Sequence, residues 1–269
     1  MTFDRPPLNE VVLSLQSDPV EGLTTPFLGL FWNRVRGQYP STQVLPTLDP
    51  VIEKFDPLGK AEPTPAFRFL QNIETPRCWF LADGGSQLIQ LQQDRVILNW
   101  RKTESAKPYP RYEHLRPEFE RVVDELGDFL NQERLGALAP NQCEISYINH
   151  IEAADWKSRG ELHKVLSFWT PANVQGLQAA EDANTALRFV IEQDGERLGR
   201  LHVTVKSAIR RTDGKPVLVL DFTARGRPVT PDISGVVAFL DLGREWIHKA
   251  FRELTSREAQ RELWGLRDE

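Results

Sequence analysis

The sequence predicts an α+β fold of two halves, each a curved antiparallel sheet packed on a long amphipathic helix. Short segments in which apolar and polar residues alternate are joined by tight turns, which is typical of antiparallel strands. In each group a long stretch follows whose apolar residues recur every three or four positions, as on one face of a helix. A polar, aperiodic stretch at 152–162 separates the two groups. We therefore assign the halves to 1–151 and 162–269, and leave a single continuous domain open.

The N-terminal half begins with a predicted strand and a short helix. Residues 8–15 alternate between apolar and polar positions. A threonine followed by Pro26 is typical of a helix start, and helical spacing continues to about Gln38. Residues 40–65 contain six prolines and predict a surface connector with one short strand at 51–55.

The next block predicts an antiparallel meander with one face in water, because alternating strands with a single buried face usually have this arrangement. Its strands are expected at 67–71, 77–81, 87–92 and 95–101, with a hairpin-type turn at 83–86. A long helix at 111–133 carries seven apolar residues on one face, and a strand at 142–151 completes the half.

The C-terminal half repeats this order of strands followed by a helix. Strands are expected at 165–169, 185–193, 200–209 and 216–224, with hairpin turns at Asp194-Gly195 and Asp213-Gly214. Asp232 or Ser234 then caps a helix whose apolar stripe runs from Val236 to Leu254. Burial of this stripe is worth on the order of 10–20 kcal/mol gross, so the helix should lie on a sheet. A short final helix is anchored by Leu263 and Trp264.

Composition and charge exclude several classes of protein. The 269 residues include 33 basic and 38 acidic side chains, a net charge of −5, which excludes a globally polybasic nucleic-acid binder. No apolar run approaches the ~18 residues of a membrane helix. The N-terminal residues have no signal-peptide pattern, and the two cysteines form no CxxC motif. We therefore expect a cytoplasmic protein with no membrane contact.

No motif for catalysis or metal binding is present. The sequence contains no GxSxG, and its five histidines have no HxH or HxxxH spacing. Cys143 and His150 lie seven residues apart in one predicted strand, so they point to opposite faces and cannot pair within it. The sequence thus predicts no catalytic residue, no cofactor and no metal site, and favours a protein without enzymatic activity.

A small-ligand pocket between the sheet and the last helix is one candidate site. Glu144, Ser146 and His150 share one face of the strand at 142–151 and combine groups that a polar ligand could use. The residues proposed to line the pocket are Trp100, Glu144, Tyr147, Asn149 and His150.

A local basic patch at 197–227 is the second candidate site, for nucleic acid or an acidic partner. Its main residues are Arg200, Arg210, Arg211, Lys215 and Arg225. The alternative is that these charges protect hairpin tips and edges from aggregation. Aromatic residues are not interleaved with them, which disfavours stacking on single-stranded nucleic acid.

Five blocks of the sequence resemble a sporadically distributed bacterial family of proteins of about this length, known by a family number. The blocks are PPLNEVV at 6–12, LNWR at 98–101, YPRY at 109–112, NQCEISYINHI at 141–151 and DLGREWI at 241–247. The resemblance covers essentially the whole chain and implies no established reaction. The patchy distribution of this family implies horizontal transfer, and hence a defence, toxin–antitoxin or mobile-element context.

Taken together, the leading hypothesis is a non-enzymatic cytosolic protein that presents a sheet, groove or loop surface to a protein partner. A small-ligand-binding protein is the first alternative, and nucleic-acid contact through the basic hairpins is the second. The formation of a homodimer stays open.

Overall fold

The computed structural model describes residues 2–55, 75–103, 109–152, 159–170, 176 and 184–267. It shows a mixed fold with a large antiparallel sheet and a few helices, which confirms the α+β class. The arrangement of two halves, each with its own sheet packed on its own helix, stays a prediction.

Three α-helices and eleven strands make up the described fold. The helices are α1 Thr25–Val35, α2 Tyr112–Gln132 and α3 Ile233–Leu254. The strands are β1 Thr2–Phe3, β2 Leu8–Ser17, β3 Ser41–Leu45, β4 Arg77–Leu81, β5 Gln87–Gln92, β6 Arg95–Arg101, β7 Pro140–Glu152, β8 Thr185–Gln193, β9 Glu196–Ile209, β10 Pro216–Gly226 and β11 Leu266–Arg267. Nine of them hydrogen-bond in the order β3-β4-β5-β6-β2-β7-β10-β9-β8, and β1 pairs separately with β11.

Most predicted strands are present, as are the predicted short first helix and the two long helices. The strands predicted at 77–81, 87–92, 95–101 and 185–193 have the observed bounds, and the others that are confirmed extend by a few residues. Gly195 has φ +81° and Asp194 has φ +53°, the left-handed geometry that a two-residue hairpin turn requires.

Two predicted strands are wrong. Residues 51–55 form no strand, and the strand of the proline-rich connector is β3 instead; the backbone N–H groups of Val51 and Glu53 bond to side chains rather than to a strand. Residues 165–169 make only one bridge, between Leu166 and Thr255, after a 3-10 helical segment at Arg159–Lys164. The strand predicted at 67–71 lies outside the described residues.

The chain divides into two compact units, which are described separately. The first unit comprises Met1–Val12, Glu144–Arg225 and Phe239–Glu269. The second unit comprises Leu13–Cys143 and Gly226–Ala238. The division into 1–151 and 162–269 stays a prediction.

In the second unit, the helices α1 and α2 contribute aromatic side chains to the core. Phe31 of α1 contacts Phe80 of β4 and Phe129 of α2, with ring centroids 6.2 and 5.6 Å apart, and all three rings are buried. The seven apolar residues predicted for one face of α2 are all buried. The helix α3 begins in this unit at Asp232, because Asp232 Oδ1 accepts hydrogen bonds from Gly235 N and Ser234 Oγ, both at 2.8 Å.

In the first unit, α3 lies against β7 and β10, and β1 pairs with β11. A Cβ atom added at Gly243 would lie 2.7 Å from Ile145 Cγ2 and 2.9 Å from Ala224 Cβ, so only glycine fits here. Phe251 contacts Trp264, which is 3% exposed, at a centroid distance of 5.1 Å. The final helix is a single π-helical turn, Ala259–Leu263.

The close approach at Gly243 predicts opposite effects of alanine at two helical glycines. We expect Gly243→Ala to lower the free energy of unfolding by about 1–3 kcal/mol, because the added methyl group overpacks the contact with Ile145 and Ala224. Gly127→Ala in α2 meets no atom within 4 Å, and should raise stability by about 0.5–1 kcal/mol through helix propensity. Urea unfolding of both variants measures the difference, and equal effects would contradict the packing described for Gly243.

Candidate functional site

An extended segment after β3, residues 46–55 and here called the strap, crosses the sheet of the second unit. Three glutamine side chains of the sheet accept hydrogen bonds from backbone N–H groups of the strap. These bonds join Leu48 N to Gln92 Oε1 at 3.0 Å, Val51 N to Gln16 Oε1 at 2.9 Å and Glu53 N to Gln142 Oε1 at 3.0 Å. These amide side chains thus provide the hydrogen-bond acceptors that the carbonyl groups of a neighbouring strand would otherwise provide.

The strap runs across the strands rather than along them. Its contacts fall in order on β5, β6, β2 and β7, which are neighbours in the sheet; the β6 contact is Arg95 Nη2 to Asp49 O at 3.0 Å. Neighbouring strands lie about 4.8 Å apart, and an extended chain advances about 3.3 Å per residue. An extended backbone that crosses the strands therefore reaches the next strand after one or two residues, which is the spacing of the strap's contacts.

The prediction that one face of the meander lies in water is wrong. Gln90, Gln92 and Asn99 of these strands are only 3–7% exposed, as is Gln16 of the neighbouring β2. Gln90 Nε2 donates to Asn99 Oδ1 at 2.8 Å, while Gln16 and Gln92 bond to the strap. Buried amide side chains are tolerated when hydrogen bonds satisfy them, and Gln16, Gln90 and Gln92 each have both a donor and an acceptor.

The strand β3 forms one end of the sheet and is weakly protected against pairing with another chain. Among the described strands it pairs with β4 alone, and the side chains of Ser41–Val44 are exposed. Val44 is 69% exposed, the largest value among the exposed large apolar residues. The strand carries no charged residue. Uncharged, regular edge strands are templates for pairing with another chain.

The strand β8, at the other end of the order, has the features that block such pairing. It carries Arg188 and Glu192, and its register shifts between Ile191 and Glu192. Charges and bulges on edge strands are known protections against edge-to-edge association. The two ends of the sheet order therefore differ, and β3 is the one suited to accept a further strand.

The structure does not gather the proposed pocket residues on one surface. Tyr147 and Asn149 are buried on one face of β7, whereas Glu144 and His150 lie on the opposite face. Tyr147 contacts the His248 ring at 5.8 Å, and Asn149 Nδ2 donates to Leu220 O at 3.1 Å. The backbone N–H of His150 donates to Pro7 O at 2.9 Å.

Trp100 belongs to the second unit, where it is 4% exposed on β6. Its ring centroid lies 5.0 Å from that of Tyr109. This contact packs Tyr109 against β6.

A polar ladder on β7 and β10 contains Glu144. Glu144 Oε2 accepts from Arg225 Nε at 2.6 Å, and Glu144 Oε1 accepts from Ser146 Oγ at 3.3 Å. Ser146 Oγ lies 2.7 Å from Thr223 Oγ1, which donates to Asp221 Oδ1 at 3.0 Å. Burial raises the pKa of the Asp221 carboxyl, and the Glu144 charge adds to this, while the Thr223 hydrogen bond opposes it.

Several charges of the basic patch are compensated within the chain. Arg210 bonds to Asp213 Oδ2 at 2.5 Å and to Glu152 Oε1 at 2.9 Å, and Arg225 pairs with Glu144. The Arg210 hydrogen bonds lower the pKa of Asp213 to about 2, so this carboxylate stays charged.

The other candidates of the patch differ in their surroundings. Lys215 Nζ lies 4.0 Å from Asp213 Oδ2, Arg200 is half-buried on β9, and Arg211 is exposed. Phosphate groups would compete with the existing carboxylates for much of this surface.

The surroundings of the two cysteine thiols disfavour the thiolate form. Burial raises the pKa of both Cys78 and Cys143, whereas a nucleophilic cysteine needs a lowered one. No group of three metal-ligating side chains occurs in the described part of the chain. No helix there is both long and apolar enough to cross a membrane.

Comparisons of the chain with protein-family models, curated proteins and solved structures give no match. The resemblance to the sporadically distributed bacterial family therefore stays a prediction.

The raised pKa of Asp221 predicts how a neutral replacement depends on pH. A carboxyl whose pKa is raised by folding costs stability once pH rises above its unfolded pKa. We expect Asp221→Asn to be more stable than the wild type near pH 8, with the difference shrinking toward pH 4. Urea unfolding across this range measures it.

Asp232→Asn is the matched control, because hydrogen bonds at the start of α3, chiefly from Gly235 N, lower the pKa of Asp232. The free energy of unfolding of Asp232→Asn should lie below that of the wild type, and this difference should grow as pH rises. A pH-independent effect of Asp221→Asn would contradict the burial described here.

The strap contacts predict a local effect of removing one glutamine. We expect Gln142→Met to speed hydrogen exchange of the Glu53 amide about five- to tenfold, because this N–H loses its acceptor. Gln38→Met, which removes an exposed acceptor of Arg121 in the same unit, should leave the strap amides unchanged. Unaltered exchange at Glu53 in the folded Gln142→Met variant would show that the strap is held by other contacts.

Proposed function

We propose that the protein is a non-enzymatic, cytosolic binding protein that takes up a segment of a partner protein as an additional strand at the outer edge of β3. The single observation that carries this proposal is the contrast between the two ends of the sheet order. The strand β8 has charges and a register shift, whereas β3 is regular, uncharged and exposed.

Backbone pairing at an edge supplies affinity, and side-chain contacts on alternate positions supply specificity. All five residues of β3 pair in unbroken register with β4, from Ser41 opposite Leu81 to Leu45 opposite Arg77. The opposite edge of a regular strand presents alternating N–H and C=O groups in a straight row. The exposed Val44 side chain adds an apolar contact for the incoming strand.

The two alternatives are supported less well by the same structure. The residues proposed for the ligand pocket lie on opposite faces of β7 or in the other unit. Two of the five basic candidates, Arg210 and Arg225, are already paired with carboxylates. The defence, toxin–antitoxin or mobile-element context, and the packing of each half on its own helix, belong to this proposal as expectations.

A site-specific crosslinking experiment tests the proposal. A photo-crosslinking amino acid replaces Thr42 of β3 in one variant and Ile209, which is 61% exposed at the end of β9, in the control. After irradiation in the native host, we expect a discrete protein adduct from position 42 and not from position 209. Val44→Lys should reduce that adduct severalfold, because a charge at an edge strand opposes pairing.

The absence of an adduct at position 42, or equal adducts at both positions, would contradict strand addition at β3. An adduct formed with a second copy of the chain would identify the partner strand as coming from a homodimer.

A further inference from the structure

Two arginines flank one tryptophan on the sheet of the second unit. Arg77 and Trp79 lie on β4, two residues apart and therefore on the same face, and Arg101 ends β6. The guanidinium carbon of Arg77 lies 5.8 Å from the centroid of the Trp79 ring, and that of Arg101 lies 5.6 Å from it. All three side chains are half-buried, so each keeps part of its surface open to solvent.

Hydrogen bonds to neutral groups fix the positions of these side chains. Gln90 Oε1 accepts from Arg77 Nη1 at 2.8 Å and from Trp79 Nε1 at 2.9 Å. Gln90 is itself held by Asn99. Arg101 Nε donates to Gly85 O at 2.8 Å, in the turn between β4 and β5. The arrangement is therefore built before any ligand arrives, which lowers the entropic cost of binding.

Among the described residues, no carboxylate forms an ion pair with this cluster. Neither Arg77 nor Arg101 forms an ion pair in the described part of the structure, in contrast to Arg121, Arg210 and Arg225. Arg77 Nε is buried and has no hydrogen-bond acceptor among the described residues. Burial lowers the pKa of Arg77, and the charge of Arg95 lowers it further. A buried donor without an acceptor, beside a second cation, is a site that an anion would stabilise.

We propose that Arg77, Trp79 and Arg101 form a binding site for a small oligoanion, with one guanidinium for each of two anionic groups and the tryptophan ring between them. The planar guanidinium fork matches the oxygens of phosphate and carboxylate groups. This site is separate from the edge of β3, and the proposal does not rest on strand addition there.

Titration of the full-length protein with inorganic tripolyphosphate tests the site. The Trp79 indole N–H, assigned by its loss in Trp79→Phe, should shift saturably in the NMR spectrum. Arg77→Gln and Arg101→Gln should each weaken binding about tenfold, because each removes one charge-assisted contact. Arg77→Lys and Arg101→Lys should recover part of the affinity, since the charge is kept. Binding should weaken as salt rises.

Arg211→Gln is the matched control, because it removes an exposed arginine from the basic patch of the other unit. It should leave the affinity unchanged within about twofold, in line with the screening of distant surface charges. Thermal unfolding of each variant shows that the fold is intact. A parallel titration with citrate separates phosphate from carboxylate ligands: the tighter of the two identifies the anionic group. Absence of a saturable shift at Trp79, or equal weakening in Arg211→Gln, would overturn the proposal.

Discussion

The second unit depends on hydrogen bonds between amide side chains of the sheet and the backbone of the strap, which crosses the strands. Polar groups on a buried sheet face must find partners, and Gln16, Gln92 and Gln142 find them in the strap. The strap in turn directs the chain away from β3 and across the sheet, so that it adds no strand beside β3 in the described residues. One set of side-chain hydrogen bonds thus buries a polar face, and in the described part of the chain the outer edge of β3 has no neighbouring strand.

The regular parts of this fold could be predicted from sequence, because local periodicity reports burial directly. The strands β5 and β6 and the helix α2 have patterns that no other element would produce. The strap could not be predicted in the same way. Its residues have no period, and its partners are glutamines, which alternate with apolar residues as if they faced water. The strand predicted at 165–169 is wrong because a short apolar run does not distinguish a strand from a packed turn.

For the candidate sites, too, the sequence predicts local arrangement but not contacts between distant parts of the chain. Sequence reasoning placed Glu144 and Ser146 on one face correctly, because residues two apart in a strand share a face. It could not show that Arg225 and Thr223, far along the chain, already bond to them. It also missed the cluster of Arg77, Trp79 and Arg101, since the two arginines lie on different strands and the sequence does not show that both approach one tryptophan. The only local signal was an arginine two residues before a tryptophan in a strand.

The two proposed surfaces are neighbours in the sheet. Gln43 of β3 lies directly opposite Trp79 of β4, so an added strand would lie one strand away from the tryptophan. In the first unit, Arg210 and Arg225 of the basic patch are paired with carboxylates. We therefore place binding at the edge of β3 and at the adjacent cluster of Arg77, Trp79 and Arg101.

Hydrogen exchange of the protein purified with its native partner tests this account most directly. The account predicts that amides of β3 gain protection in the complex, while those of β8 exchange as they do in the free protein. Protection confined to β8 or to the 197–227 hairpins, with β3 unchanged, would contradict it.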